Sequence, residues 1–158
     1  MKKAIYVLCV LFCIHATEMT AQQEYVWEHY KMSIELPNDF KVVKNTDDEF
    51  HCEGDGMELY MLVFENADLT ARDMRKATKE LAKQLNFELK DEEYNITAHD
   101  GFEGKYILGV KDGKQMMICG LINTKNATNF WILIEFEDGD HTAEDEGIKI
   151  LNSLENEG

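Results

Sequence analysis

The sequence predicts an α+β domain: an antiparallel β-sheet of about seven or eight strands with two helices. Apolar residues alternate along most of the chain after residue 21, as strands half-buried against a core require. Asp100-Gly101 and Asp112-Gly113 punctuate the later runs, and Asp-Gly favours the two positive-φ positions of a type I′ hairpin turn. Only the segments after Thr70 and Thr142 carry apolar residues at helical spacing. With one proline, Pro37, and no linker, repeat or low-complexity tract, residues 22–158 read as a single domain.

The first 21 residues are set apart. Lys2 and Lys3 precede Ala4–Ile14, an unbroken apolar run of eleven residues, and a mixed stretch then ends in Met19-Thr20-Ala21. That order is a secretory signal peptide. The run is far short of the ~20 residues a transmembrane helix needs. Cleavage is expected between Ala21 and Gln22, although Met19 is bulky for the −3 position. Cys9 follows Leu8 and Cys13 follows Phe12, which does not suit a lipid-acceptor cysteine. The mature chain is therefore expected in the bacterial periplasm or outside the cell.

Gln22–His29 is a polar lead-in holding Tyr25 and Trp27. Tyr30–Leu36 alternates, Pro37-Asn38-Asp39 turns the chain, and Phe40–Val43 follows as a strand. Asn45–Glu49 is a polar loop before a short strand around Phe50, and Gly54-Asp55-Gly56 is a turn. Met57–Glu65 (MELYMLVFE) is apolar on both alternate faces, which predicts a central strand covered on both sides. Thr70 and Asp73 form a capping-box pattern for a helix whose apolar face is Met74, Ala77, Leu81 and Leu85, with Thr78 beside it. Arg72, Arg75, Lys76, Lys79 and Lys83 occupy its other side, a solvated basic face. A meander follows: Glu93–His99, Phe102–Lys111, Lys114–Thr124 and Asn129–Glu137. Thr142–Leu154 is the second helix, with Ile148, Leu151 and Leu154 on one face and Glu144, Asp145 and Glu146 near its positive end.

Apolar residues make up 44% of the chain, so a packed core rather than disorder is expected. Removal of residues 1–21 takes away Lys2, Lys3 and Glu18, leaving 14 basic and 30 acidic residues and a charge of −16. A surface of that sign repels phosphate backbones and anionic headgroups, which argues against nucleic acid and peripheral membrane partners. Cys52 and Cys119 remain after cleavage. In an oxidising compartment they can form one disulfide, or they can stand as two buried thiols; their spacing does not decide.

MSIELPNDF near the mature start resembles the "strand, Pro, aromatic" opening of the PsbP-like proteins, a group that includes the photosystem II extrinsic subunit. The long helix, the late meander and the ending FEDGDHTAEDEGIKILNSLE, with its Ile-x-x-Ser-Leu pattern, also resemble that family and the bacterial DcrB-like proteins. The resemblance spans nearly the whole mature chain and rests on element order with Pro37, Phe40, Ser153 and Leu154. It implies an α/β/α sandwich and an accessory or partner-binding role. It transfers no functional residue.

Signals of chemistry are sparse. GxSxG, Walker, HExxH, GxGxxG and CxxC motifs are absent. Ser33 and Ser153 are the only serines, and neither has a nucleophile's context. The mature histidines, His29, His51, His99 and His141, lack ligand spacing. His51 and Cys52 lie among Asp47, Asp48, Glu49, Glu53 and Asp55, but neighbours on a strand point to opposite faces and do not share one ion. Asp138-Gly139-Asp140-His141 with Glu144 fails the EF-hand order and reads as a turn with a helix N-cap. Tyr60, Tyr106 and Trp131 are strand aromatics that line either a pocket or the core. No catalytic residue, cofactor or metal is assigned. The function expected is an exported binding or accessory protein contacting an envelope protein or a small molecule. The alternative is a metal-dependent or hydrolytic enzyme whose residues meet only in the fold.

Overall fold

In a computed structural model, residues 22–54, 56–65, 69–96, 101–125 and 128–157 are described. The strands are β1 (Gln22–Trp27), β2 (Met32–Pro37), β3 (Lys41–Asn45), β4 (Glu49–Gly54) and β5 (Met57–Glu65). Helix α1 (Ala71–Gln84) leads to β6 (Glu88–Ile96), β7 (Phe102–Lys111), β8 (Lys114–Asn123) and β9 (Thr128–Glu137). Helix α2 (His141–Asn152) and the short β10 (Glu155–Asn156) complete the order.

The α+β class is as predicted, and its strands form two antiparallel sheets. One has three strands in the order β1-β2-β10; the other has seven in the order β3-β4-β5-β9-β8-β7-β6. The large sheet is two meanders joined at a seam. The first is β3-β4-β5. The chain then crosses through α1 to the far edge and returns as β6-β7-β8-β9, so that β9 closes on β5 from Glu58↔Glu135 to Glu65↔Thr128.

The predicted hairpin at Asp112-Gly113 is present: φ is +52° at Asp112 and +82° at Gly113, and Lys111 pairs with Lys114. At the other Asp-Gly, Gly101 has φ +102°, while Asp100 lies outside the described residues. Strand β6 starts at Glu88 rather than Glu93, because a register shift between Leu89 and Glu93 breaks its alternation. The polar lead-in is in fact strand β1, which pairs with β2 from Gln22↔Pro37 to Trp27↔Met32. Its first three residues are exposed, so it carries almost no alternation until Trp27, which is fully buried. The Trp27 indole donates to the Thr46 carbonyl at 2.5 Å, and its ring meets Tyr30, Phe50 and Phe130.

The main core lies between the large sheet and a layer made of α2 and the small sheet. Phe50, Cys52, Leu59, Met61, Met117, Cys119, Ile132 and Ile134 project into it, meeting Ile34, Leu36, Ile150, Leu151 and Leu154. The residues that carry the family resemblance hold this layer together. Pro37 ends β2, Phe40 is buried against Gly54, and Leu154 is fully buried. Ser153 caps α2, donating to the Ile150 carbonyl at 2.8 Å and accepting from the Glu35 amide at 2.9 Å.

On the opposite face α1 packs over β6, β7 and β8. Its capping box forms as expected, with Asp73 Oδ2 accepting from the Thr70 amide at 3.1 Å and from its hydroxyl at 2.6 Å. The buried stripe differs from the predicted one. Met74, Thr78 and Ala82 are fully buried, whereas Ala77, Leu81 and Leu85 are half-buried. Thr78 enters the stripe because its hydroxyl is satisfied inside the helix, donating to the Met74 carbonyl at 2.8 Å. Gly120 of β8 lets the helix come close: a Cβ there would lie 2.9 Å from Met74 Sδ and 3.2 Å from Thr78 Cγ2.

Candidate functional site on the uncovered sheet face

The apolar pattern of β5 predicts cover on both sides, and the strand is covered on one. Met57, Leu59 and Met61 are buried in the main core, but Tyr60, Leu62 and Phe64 are half-buried and Glu58 is exposed. The reason is where α1 comes to rest. It occupies the β6-β7-β8 half of its face, and Trp131 of β9, paired with Gly120, stands at its border. Beyond Trp131 the sheet continues as Leu62, Tyr60 and Phe64 on β5 and His51 on β4. Tyr60 and Leu62 pack at the edge of the cluster of Ala82, Ile118 and Leu133, while α1 itself lies mainly over β6, β7 and β8.

Two stacked ring pairs dominate that face. His51 lies on Tyr60 with centroids 4.1 Å apart and planes 13° apart. Phe64 lies on Trp131 at 4.6 Å and 19°. Leu62 sits between the pairs on β5. Glutamates rim them: Glu53↔Glu58 and Glu58↔Glu135 are direct cross-strand partners, so three carboxylates line up across β4, β5 and β9. The Tyr60 hydroxyl donates to Glu58 Oε2. This bond, more than burial, pushes the Tyr60 phenol up to about 12. His51 Nε2 is 4.0 Å from the same carboxylate oxygen and, among the described residues, is a buried nitrogen with no hydrogen-bond partner. Lys44 is held by Glu49 at 2.5 Å and Lys114 by Glu137 at 2.6 Å. An open groove of about 580 Å³ runs past the β4-β5 turn and includes Asp39, Lys41, Glu53, Glu58, Lys114 and Glu135 in its lining.

The other sequence-marked groups do not converge here. His29 is exposed in the β1-β2 turn, His141 opens α2, and His99 lies outside the described residues. No described group of three or more His, Cys, Asp or Glu is arranged to hold a metal ion. His51 and Cys52 do point to opposite faces, Cys52 into the main core. Asp47 and Asp48 are exposed in the β3-β4 loop, and Asp55 lies outside the described residues. The calcium-like run is structural: Asp140 Oδ1 caps α2 by accepting from the Thr142 and Ala143 amides at 3.0 Å each. Asp138 accepts from Lys90 at 3.1 Å, and Glu144 from Gln115 at 3.0 Å. Ser33 is buried in β2, and Tyr106 lies in the main core.

Cys52 and Cys119 are free thiols, fully buried, on β4 and β8. Strands β5 and β9 separate them. Three strand spacings amount to ~14 Å, twice the ~7 Å limit on the Cα separation of a disulfide. Of the two states that the sequence leaves open for Cys52 and Cys119, the disulfide is therefore ruled out and two isolated thiols remain. Burial pushes Cys52 up to about 12 and moves Cys119 in the same direction.

The layers and strand order define a Mog1/PsbP-like fold: a large antiparallel sheet with one helix on one face and a helix plus a small sheet on the other. The Ran-binding protein Mog1p of Saccharomyces cerevisiae has this fold, aligning over 87% of this chain and 96% of its own with TM-score 0.57 and 9% identity. A point mutant of Mog1 aligns over 84% of this chain and 86% of its own, with TM-score 0.54 and 13% identity. A Bacteroides thetaiotaomicron protein aligns over 89% of this chain and 50% of its own, with TM-score 0.53 and 13% identity. No family model matches the sequence, and no curated protein matches it. At these identities the likeness is one of fold.

Proposed function

We propose that the chain is an exported accessory protein of the PsbP-like group that binds a protein partner through the uncovered half of its large sheet. The observation carrying this reading is the aromatic face itself. Tyr60, Leu62, Phe64 and Trp131 are large side chains left half-buried beside α1. Aromatic side chains supply most of the energy of protein contacts when a partner completes their burial. The Ran-binding activity named for Mog1p gives a precedent for protein recognition on this fold. Export is supported by the signal-peptide pattern of residues 1–21. No described helix is long and apolar enough to cross a membrane.

The test is a photo-crosslinking residue at Leu62, introduced into the chain expressed in its own host. The expected result is one discrete cross-linked envelope protein, lost when Phe64→Ala and Trp131→Ala are added. A face that captures no host protein overturns the reading. The same sample tests export: the envelope form should begin at Gln22, and a cytosolic chain retaining Met1 refutes that part.

A further inference from the structure

We propose that the partner meets this face with a cationic segment, arginine or lysine side chains that stack on the ring pairs and end against the glutamate row. This rests on the preceding reading and names the partner's chemistry. Like charges placed directly opposite on adjacent strands destabilise a sheet. Here Glu53, Glu58 and Glu135 form such a row across three strands. The local lysines relieve it only in part: Lys41 stands opposite Glu53 on β3, and Lys114, paired with Glu137, also feels Glu58 and Glu135. The carboxylates Glu53, Glu58, Glu135 and Glu137 thus outnumber the cations Lys41 and Lys114. Glu53 and Glu135 make no hydrogen bond or ion pair among the described residues. The row borders the His51–Tyr60 stack, and a guanidinium is the group that satisfies both features. It lies flat on an aromatic ring and donates in a planar fork to a carboxylate. Tyr60 turns its hydroxyl to Glu58 while His51 stacks on its ring, so a cation that reaches this carboxylate passes beside the ring pair.

Charge selects among the other occupants. The whole chain carries −15, which steers cations toward the protein and repels anionic headgroups and nucleic acid. A second copy brings the same glutamate row and the same net charge, so face-to-face self-association sets like charges against each other. A basic partner surface carries the opposite sign.

The test uses an arginine-rich peptide and its glutamate-substituted counterpart, titrated into the protein at low salt and followed by tryptophan emission. Trp131→Phe separates the signal of Trp131 from that of the buried Trp27. The arginine peptide should shift Trp131 emission and the glutamate peptide should not. The double variant Glu58→Gln, Glu135→Gln should weaken binding by about tenfold, as should added salt. Its melting temperature should not fall, because the change removes a like-charge pair. Equal binding of both peptides, no binding of either, or binding indifferent to the double variant overturns the inference. So does concentration-dependent assembly of the protein alone through this face. A Leu62 cross-link to a host protein that persists unchanged in the double variant sinks the cationic chemistry while leaving the face as a binding surface. Absence of any cross-link sinks the parent reading.

Discussion

His51 is held by shape and left without chemistry for one of its nitrogens. Its ring stacks on Tyr60 and its Nε2 is buried, yet Glu58 Oε2, 4.0 Å away, already takes the Tyr60 hydroxyl. An unsatisfied buried polar atom carries its full desolvation cost. His51→Phe keeps the stack and removes that atom, so it should raise stability by about 1 kcal/mol. The urea midpoint would move up, whereas His51→Ala, which loses the stack, should lower it. A lower midpoint for His51→Phe would mean that a water or ligand partners Nε2 in solution. At this same scale the sequence is most legible where a side chain acts on its neighbours in the chain. The Thr70–Asp73 box, the Asp140 cap and the Asp112-Gly113 turn all form as local chemistry dictates. Ser153, part of an ending pattern in the sequence, gains its meaning from Glu35, 118 residues away.

The placement of α1 depends on one missing side chain. At Gly120 an added Cβ would lie 2.8 Å from Trp131 Cζ3 as well as 2.9 Å from Met74 Sδ. Gly120→Ala should therefore force α1 and Trp131 apart and cost about 1–3 kcal/mol, the usual range for overpacking. Denaturant unfolding checks the cost, and a red shift in Trp131 emission checks the displacement. Unchanged emission with unchanged stability would show that the helix does not bear on Gly120. This contact also explains what the sequence conceals. The pattern in MELYMLVFE correctly marks a strand with two apolar faces, but periodicity does not say whether both are covered. That depends on where a crossing helix stops, and here the helix stops at Gly120 and Trp131. The glutamate row is hidden for the same reason, because Glu58 and Glu135 become neighbours only through the β5-β9 seam. Seams between distant strands and the edge of a helix's footprint are set by tertiary packing. Meanders and turns are set locally, which is why β7, β8 and β9 are legible almost residue for residue and β1, exposed over its first three residues, is not.

Across the whole molecule, the protons the fold holds most tightly set a limit at alkaline pH. Buried Cys52 is pushed up to about 12 from an ordinary 9.0, Cys119 is raised by the same desolvation, and Tyr60 is raised from 10.0 to about 12 by its bond to Glu58. In each case the folded state binds the proton more strongly than the unfolded chain does. Stability from these groups is therefore complete below about pH 9 and is lost as pH rises from there through about 12. The urea midpoint should be flat from neutral pH to about 9 and then fall steeply. Cys52→Ala with Cys119→Ala should flatten the first part of that fall, leaving the Tyr60 part above pH 10. An intramolecular disulfide would leave no thiol to ionise and would abolish the first part in the unsubstituted protein. The profile therefore tests the strand order as well as the titration. The chain recovered from an oxidising envelope should also keep the mass of two free thiols. Burial and protonation together suppress the thiolate that oxidation requires. A mass lower by two hydrogens with a flat alkaline profile would place Cys52 beside Cys119, which the order β4-β5-β9-β8 forbids.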